Sequence, residues 1–322
     1  MSAVTFTAKE TADFLKAHDN YLILTHASPD GDTLGSGFGL LSALLKAGKK
    51  AKVICPDEIP QKFSFLLGKE CADFEYETVI AVDVADQRLL GHLESTFDGK
   101  IDLCIDHHQS NTGFAKHLYL ERDSAAACET VYNVITELGV EIDTHIAGCL
   151  YTGIATDTGC FKFSNTTPRT HRYAALLMEL GADYSEINRV MFEVKSKEKV
   201  AIERLVLEGI EFYFDGKCAV IAITKDMLNK TGCPRSELDS ITALSRQIEG
   251  VMIGVTLKEQ PSGNFKVSLR TFEPYSASDI CRNFGGGGHV RAAGCEFSCS
   301  LEEAKQQLLK AVGEVLGENV EQ

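Results

Sequence analysis

Positive charge is scarce in this 322-residue chain: 32 Lys and Arg stand against 46 Asp and Glu, a net charge of −14. That balance argues against a protein that coats long nucleic acid with a basic surface, because every neutralised phosphate needs a cationic side chain. An anionic substrate stays open if the positive charge is local, supplied by divalent cations and a few arginines. No uncharged apolar run approaches the about 18 residues that a membrane span needs. The opening MSAVTFTAKE puts Lys9 and Glu10 where a signal peptide needs its apolar core. The 11 cysteines form no CxxC pair, and Cys104 and Cys149 fall in apolar runs where thiols pack as small hydrophobes. An odd, irregular set of this kind suits a reducing compartment, so a soluble cytoplasmic protein is expected. No internal repeat and no low-complexity segment interrupts the pattern.

The stretch from His26 to Gly37, HASPDGDTLGSG, succeeds the apolar run Tyr21 to Leu24, whose length suits one buried strand. His26, Asp30 and Asp32 therefore gather where that strand ends. Pro29 and Gly31 argue against a helix here, so an extended loop is expected, with a helix from Phe38 to Lys46. In an extended loop residues two apart point the same way, and Asp30 and Asp32 could serve adjacent cations. An Asp-Gly-Asp alone is usually a turn bonding its own backbone; its weight comes from the ligand types further along the chain.

The first half alternates helix at 7–18 with strands at 21–26, 51–54, 78–83 and 101–106, the pattern of a parallel sheet with helices on both faces. Chemistry in such sheets collects at the carboxyl ends of the strands. His26 comes after the first strand, Asp83 after the third, and Asp106-His107-His108 after the fourth. Helices are expected over 124–138, from 143 and after Pro168, with GIATDTGCFKFSNTTPRTH as an interruption carrying Asp157. A helix over 194–209 reads as a connector. Beyond it come a hairpin turned at Asp215-Gly216, strands near 250–258 and 264–272, the tract FGGGGHVRAAG at 284–294, and a helix over 300–316. The expected fold class is α/β: a parallel-sheet domain (1–192), a helical linker (193–209) and a smaller mixed-sheet α/β domain (210–322).

The set His26, Asp30, Asp32, Asp83, His107 and Asp157 mixes imidazole and carboxylate, which suits Mn²⁺ and leaves Mg²⁺ less at home. Two cations about 3.5–4 Å apart, bridged by one carboxylate, would clamp a phosphoryl group and make a nucleophilic hydroxide. Adjacent side chains diverge, so one of His107 and His108 is expected on a cation and the other toward substrate. His92, His117, His145 and His171 have no partner ligands by spacing, and Lys195, Lys197 and Lys199 read as a solvated face.

HASPDGDTLGS, AVDVAD, CIDHHQSN and YTGIATDTGCFKFSNT, with VSLRTF and FGGGGHVRAAG beyond, resemble in order the motifs of the DHH phosphoesterases and their DHH-associated C-terminal domain. The likeness is to the bacterial nanoRNase type that combines oligoribonuclease and pAp phosphatase activity. The resemblance implies His26, Asp30 and Asp83 on one metal and Asp32, Asp83, His107 and Asp157 on the other. Two Mn²⁺ are implied, with Mg²⁺ or Co²⁺ as substitutes. It makes Asp83 the bridge, His108 the catalytic group facing the scissile phosphate, and Asn111 a residue that orients a histidine beside the substrate. Arg270 and His289 are implied to hold a terminal phosphate or base, while the N–H groups of Gly286, Gly287 and Gly288 cradle phosphate oxygens. Arg291 is a further candidate phosphate contact. Ala126 and Ala127 stand where relatives often carry a Ser-Thr pair, so no hydroxyl contact is expected there.

The implied activity is manganese-dependent hydrolysis of nanoRNA and linear dinucleotides such as pApA and pGpG, with removal of the 3′-phosphate of pAp. Substrate is expected in a cleft between the domains, where recognition of one end favours short single strands over long duplex; a homodimer is left open. The alternatives are a cyclic-dinucleotide signalling phosphodiesterase and a catalytically silent nucleotide-binding regulator. Relatives devoted to cyclic dinucleotides tend to carry membrane and sensor segments, and a silent regulator would lack a metal ligand.

Overall fold

The computed structural model describes residues 3–68, 74–238 and 241–318. They fall into two compact units, Met1–Val194 and Lys195–Gln322. No helix among the described residues is long and apolar enough to cross a membrane.

In the first unit, strands β1 (Val4–Thr5), β2 (Tyr21–Leu24), β3 (Ala51–Ile54), β4 (Thr78–Val82), β5 (Leu103–Asp106) and β6 (His117–Leu120) form one parallel sheet. Their order is β1-β6-β5-β4-β2-β3. Its helices are α1 (Ala8–Ala17), α2 (Gly31–Lys46), α3 (Glu94–Phe97), α4 (Ala127–Leu138), α5 (Thr144–Asp157), α6 (Pro168–Glu179) and α7 (Tyr184–Asn188). Alternation along β2 sends Tyr21 and Ile23 into a core with α1, α2, α4 and α5, and Leu22 and Leu24 into a core with Leu90 and Phe97. β3 lies on one side of β2 and β4 on the other, so the chain reverses direction across the sheet at β2. A crevice opens at the carboxyl ends of strands at such a reversal. The edge strand β1 and its neighbour β6 carry little apolar periodicity, and the sequence pattern did not announce them.

The expected loop at Asp30–Asp32 is instead the start of α2, seven residues before Phe38. Asp30 is the N-cap, its Oδ1 accepting the N–H groups of Asp32 at 2.9 Å and Thr33 at 3.1 Å. Pro29 stands before the cap and Gly31 at the first helical position, where neither removes an intrahelical bond. α5 likewise runs on through Asp157, so the expected interruption begins only after that residue. α2 is buried nearly all round. Its glycines are there for packing: a Cβ on Gly35 would lie 2.4 Å from the Cys149 carbonyl of α5.

The second unit comprises α8 (Lys197–Glu208), β7 (Glu211–Tyr213), β8 (Cys218–Ile223), α9 (Lys225–Thr231), β9 (Ile253–Glu259), β10 (Phe265–Thr271), α10 (Ala277–Arg282), β11 (Gly287–His289), β12 (Ala292–Phe297) and α11 (Leu301–Leu316). The sheet order is β11-β12-β10-β9-β8-β7, mixed because β8 and β9 run parallel while the other neighbours are antiparallel. One face packs on α10 and α11. The other packs through Ile221 and Ile223 against Ile202 and Val206 of α8, so that helix belongs to this unit's core rather than to a free connector. The Gly-rich tract is not a loop throughout, since Gly287–His289 pair with β12 as an edge strand.

The close approach of α2 and α5 predicts the sign of one substitution. Gly35→Ala should lower stability by about 1–3 kcal/mol through overpacking against the Cys149 carbonyl. Helix propensity alone would raise it by about 1 kcal/mol, so a higher thermal midpoint would refute the packing argument.

Candidate metal centre

Three strand ends and two helices carry the six expected ligands to one place. Asp83 lies just past β4 with φ of +56°, a left-handed conformation that Asp tolerates, and its N–H is held by the Ile105 carbonyl at 3.0 Å. Its carboxylate faces two ways. Oδ2 lies 3.5 Å from His26 Nε2, and Oδ1 lies 3.5 Å from His107 Nε2. His26 Nε2 is 3.8 Å from Asp30 Oδ1, while His107 Nε2 is 3.7 Å from both Asp32 Oδ2 and Asp157 Oδ2. His26, Asp30 and Asp83 thus form one group that could hold an ion, and Asp32, His107 and Asp157 a second.

These separations are long for hydrogen bonds. They are close to those of donors sharing a cation, since two atoms each about 2.1 Å from one ion sit roughly 3–3.6 Å apart. Both imidazoles are set for ligation. His26 Nδ1 bonds the Ala27 carbonyl at 2.8 Å and His107 Nδ1 the Ser124 carbonyl at 3.1 Å, leaving each Nε2 lone pair for the carboxylate side. Asp83 Oδ1 is buried with no hydrogen-bond partner, an arrangement that costs free energy unless a cation completes it.

Asp32 is held differently. It is 1 % exposed, and its two oxygens accept the N–H groups of Ala127 at 2.6 Å and Cys128 at 3.0 Å, the first residues of α4. Ala126 occupies the N-cap position of α4 with no side-chain bond, so Asp32 of α2 caps that helix from outside. Asp157 has the opposite environment: it ends α5, where the helix dipole disfavours a carboxylate.

Crowding of like charges shifts the acids and rings together. Burial, then Asp83 and Asp157, raises Asp32 well above the usual carboxylate range. Burial also carries Asp157 up to about 6, despite the opposing pull of His107. Asp83 is opposed by burial too, yet the facing rings of His107 and His26 keep it below its ordinary value. Burial would lower both rings, but the carboxylates outweigh it and bring His26 to about 9 and His107 to about 10.

The rings of His107 and His108 do not splay apart; their centroids lie 4.5 Å from one another. Their nitrogens separate the roles. His108 Nδ1 is committed to Asp106 Oδ1 at 2.8 Å, and Asn111 Nδ2 donates to Asp106 Oδ2 at 2.6 Å. Asp106 is fully buried at the end of β5. Its hydrogen bond is the leading cause that raises His108. Asn111 also donates to the Val84 carbonyl at 3.2 Å, so its amide is spent on orienting His108 through Asp106 rather than on a substrate. Asp106 was placed at the strand end with the two histidines, but its role as the partner of His108 was not expected, because a buried contact across a turn leaves no periodic signal. The same is true of Arg169, which reaches Ser124 Oγ at 2.7 Å and buried Glu129 at 3.3 Å, steadying the loop whose Ser124 carbonyl holds His107.

In the second unit, register places Arg270 opposite Ala292 of β12, and Ala292 opposite His289 of β11. Arg270 and His289 therefore share a row on one face. Gly286 and Gly288 have a packing reason to be glycine: a Cβ would meet the Gly294 carbonyl at 2.2 Å or the Ala292 carbonyl at 2.7 Å. Of the three, only Gly287 is open. Arg291 is engaged with Glu273 at 3.0 Å and the Tyr275 carbonyl at 2.5 Å, which removes it as an uncommitted phosphate contact.

Residues 20–154 match the DHH family, N-terminal domain, and residues 215–318 match the DHHA1 domain. A bifunctional oligoribonuclease and PAP phosphatase NrnA from Thermus thermophilus is 34% identical over 319 residues, covering 95% of this chain and 93% of that protein. The chain belongs to the DHH family. The fold of this DHH protein is shared with an exopolyphosphatase-related protein from Bacteroides fragilis, with a TM-score of 0.85 at 24% identity, covering 95% of this chain and 96% of that one. RecJ from Thermus thermophilus, crystallised in complex with Mn²⁺, gives a TM-score of 0.55 at 13% identity, covering 95% of this chain and 54% of that one.

Cation binding should release protons. Ligation needs neutral imidazoles, and the rings that reach about 9 and about 10 carry protons at neutral pH. Affinity for Mn²⁺ should therefore rise with pH across the neutral range and up toward those values. In calorimetry near neutral pH the apparent enthalpy should vary with the ionisation heat of the buffer; a buffer-independent enthalpy would refute the assignment.

Proposed function

We propose that this DHH protein is a manganese-dependent two-metal phosphoesterase. It hydrolyses very short oligonucleotides, linear dinucleotides included, to mononucleotides and removes the 3′-phosphate of pAp. The observation that carries this reading is the Asp83 carboxylate, one oxygen toward His26 and the other toward His107, each with its own set of acids. The likeness to an oligoribonuclease and PAP phosphatase across nearly the whole chain supplies the substrate class.

His26, Asp30 and Asp83 would hold one Mn²⁺, and Asp32, Asp83, His107 and Asp157 the other, a mixed nitrogen and oxygen donor set that suits this ion. The cation pair supplies Lewis acidity toward a phosphoryl group and activation of water. Asp32, fixed by α4, and His107, fixed by the Ser124 carbonyl, keep their donor atoms in position without reorganisation. His108 bonds Asp106 through Nδ1, which favours its protonated form, and its Nε2 would serve as the acid that delivers a proton to the leaving oxygen. Arg270 and His289 hold a phosphate of the substrate, and the local positive charge replaces the basic surface the chain lacks. The ten free cysteines among the described residues support a reducing cytoplasmic setting.

A substrate-length series starting at dinucleotides, with pAp beside it and Mn²⁺ present, tests the assignment. Dinucleotides and pAp should be turned over, with rates falling as length grows, and Asp83→Asn should abolish both activities. Comparable turnover of a long oligonucleotide and a dinucleotide would overturn the short-substrate reading. Asp106→Asn should cost roughly 10²-fold in kcat. Because Asp106 raises His108, its loss should also move the alkaline limb of the pH–rate profile to lower pH; an unmoved limb would remove His108 from the acid role.

A further inference from the structure

The second unit carries, beside Arg270, a second arginine that the reading above does not use. On β10, Phe265, Val267 and Leu269 enter the core with α10 and α11, so Ser268 and Arg270 face the other side. Register extends the Arg270 row to Gly254 of β9. A Cβ at Gly254 would lie 2.5 Å from Ser245 Oγ and 3.2 Å from the Arg246 nitrogen. The missing side chain therefore lets the 3₁₀ turn Ile241–Gln247 press directly onto the strand, beside Arg270. Arg246 is the exposed residue of that turn next to the contact, and its guanidinium carbon lies 5.9 Å from the ring centroid of Phe272, itself 44% exposed.

Arg270 donates to the Leu269 carbonyl at 3.0 Å. Neither Arg246 nor Arg270 has a carboxylate within ion-pair distance among the described residues. Burial, and after it the charge of Arg246, pushes the Arg270 guanidinium below its ordinary value. Two neighbouring guanidiniums with no carboxylate beside them among the described residues repel one another until an anion arrives. Between Arg270 and His289 the row holds Ala292, whose side chain is a single methyl group.

The geometry points to Arg246 as a second phosphate-binding arginine, which with Arg270 grips a terminal phosphomonoester and sets a preference for phosphate-ended over hydroxyl-ended substrates. This deepens the phosphoesterase reading and rests on it for the identity of the substrate. A phosphomonoester carries about −1.5 to −2 charges near neutral pH against about −1 for a diester, so two guanidiniums discriminate between the two ends. Guanidinium forks match phosphate oxygens bidentately, and the Phe272 ring offers the Arg246 guanidinium a cation–π contact.

The test is calorimetric titration of the full chain in EDTA with AMP and, separately, adenosine. Wild type should bind AMP more tightly than adenosine. R246Q should weaken AMP binding about 10-fold, the loss of one charge-assisted phosphate contact, and leave adenosine unchanged. R246K should fall between, because a lysine keeps the charge but not the fork. Phe272→Leu should weaken AMP less than R246Q, and it supplies a second route if R246Q folds poorly. AMP binding that is equal in wild type and R246Q, or no tighter than adenosine in wild type, overturns the inference. Failure to hydrolyse pAp and dinucleotides with Mn²⁺ would count against the phosphoesterase reading instead, because the titration in EDTA requires no turnover.

Discussion

A single buried carboxylate, shared between two sets of ligands, organises the first unit. Asp83 is 2 % exposed, lies in a left-handed backbone conformation, and keeps Oδ1 without a hydrogen bond. Folding tolerates such a group only when something else satisfies it. A cation held jointly with His107, and a second one held with His26, would do so. The parallel sheet makes the arrangement available: β2, β4 and β5 end at the same edge, and the reversal at β2 keeps helices from closing over it.

Helix ends then sort the acids. Asp30 caps the helix it precedes, so its carboxylate is fixed before any ion binds. Asp32 sits in the first turn of that helix and also caps α4. Asp157 ends a helix and gains nothing from its dipole, which makes it the acid most dependent on a cation. Carboxylates of one charge and similar reach are thereby given unequal environments, and the unequal shifts of Asp32, Asp83 and Asp157 reflect that.

Much of this was legible in the sequence. The strand-end placement of His26, Asp83 and His107 came from alternation of apolar runs with helix-like segments. Other features were hidden for definite reasons. Pro29 and Gly31 read as breakers, although proline ahead of a cap and glycine at the first helical position are compatible with a helix. Asn111 was expected to orient a histidine, but its route through Asp106 was not visible, and Asp32 reaches α4 across 95 residues, a distance at which no local pattern speaks. The close strand contacts of Gly286 and Gly288 depend on pairing with β12, which the Gly-rich pattern alone did not show. Arg246 carried no motif; its place depends on the absence of a side chain at Gly254.

The external cap on α4 joins metal loading to the persistence of the protein. Asp32 anchors a helix whose own N-cap residue, Ala126, offers no side-chain bond, and the same carboxylate faces acids that repel it. A ligand that binds only the native chain shifts its unfolding equilibrium. A cation bound there would therefore make the native chain harder for a protease to open than the same chain without it.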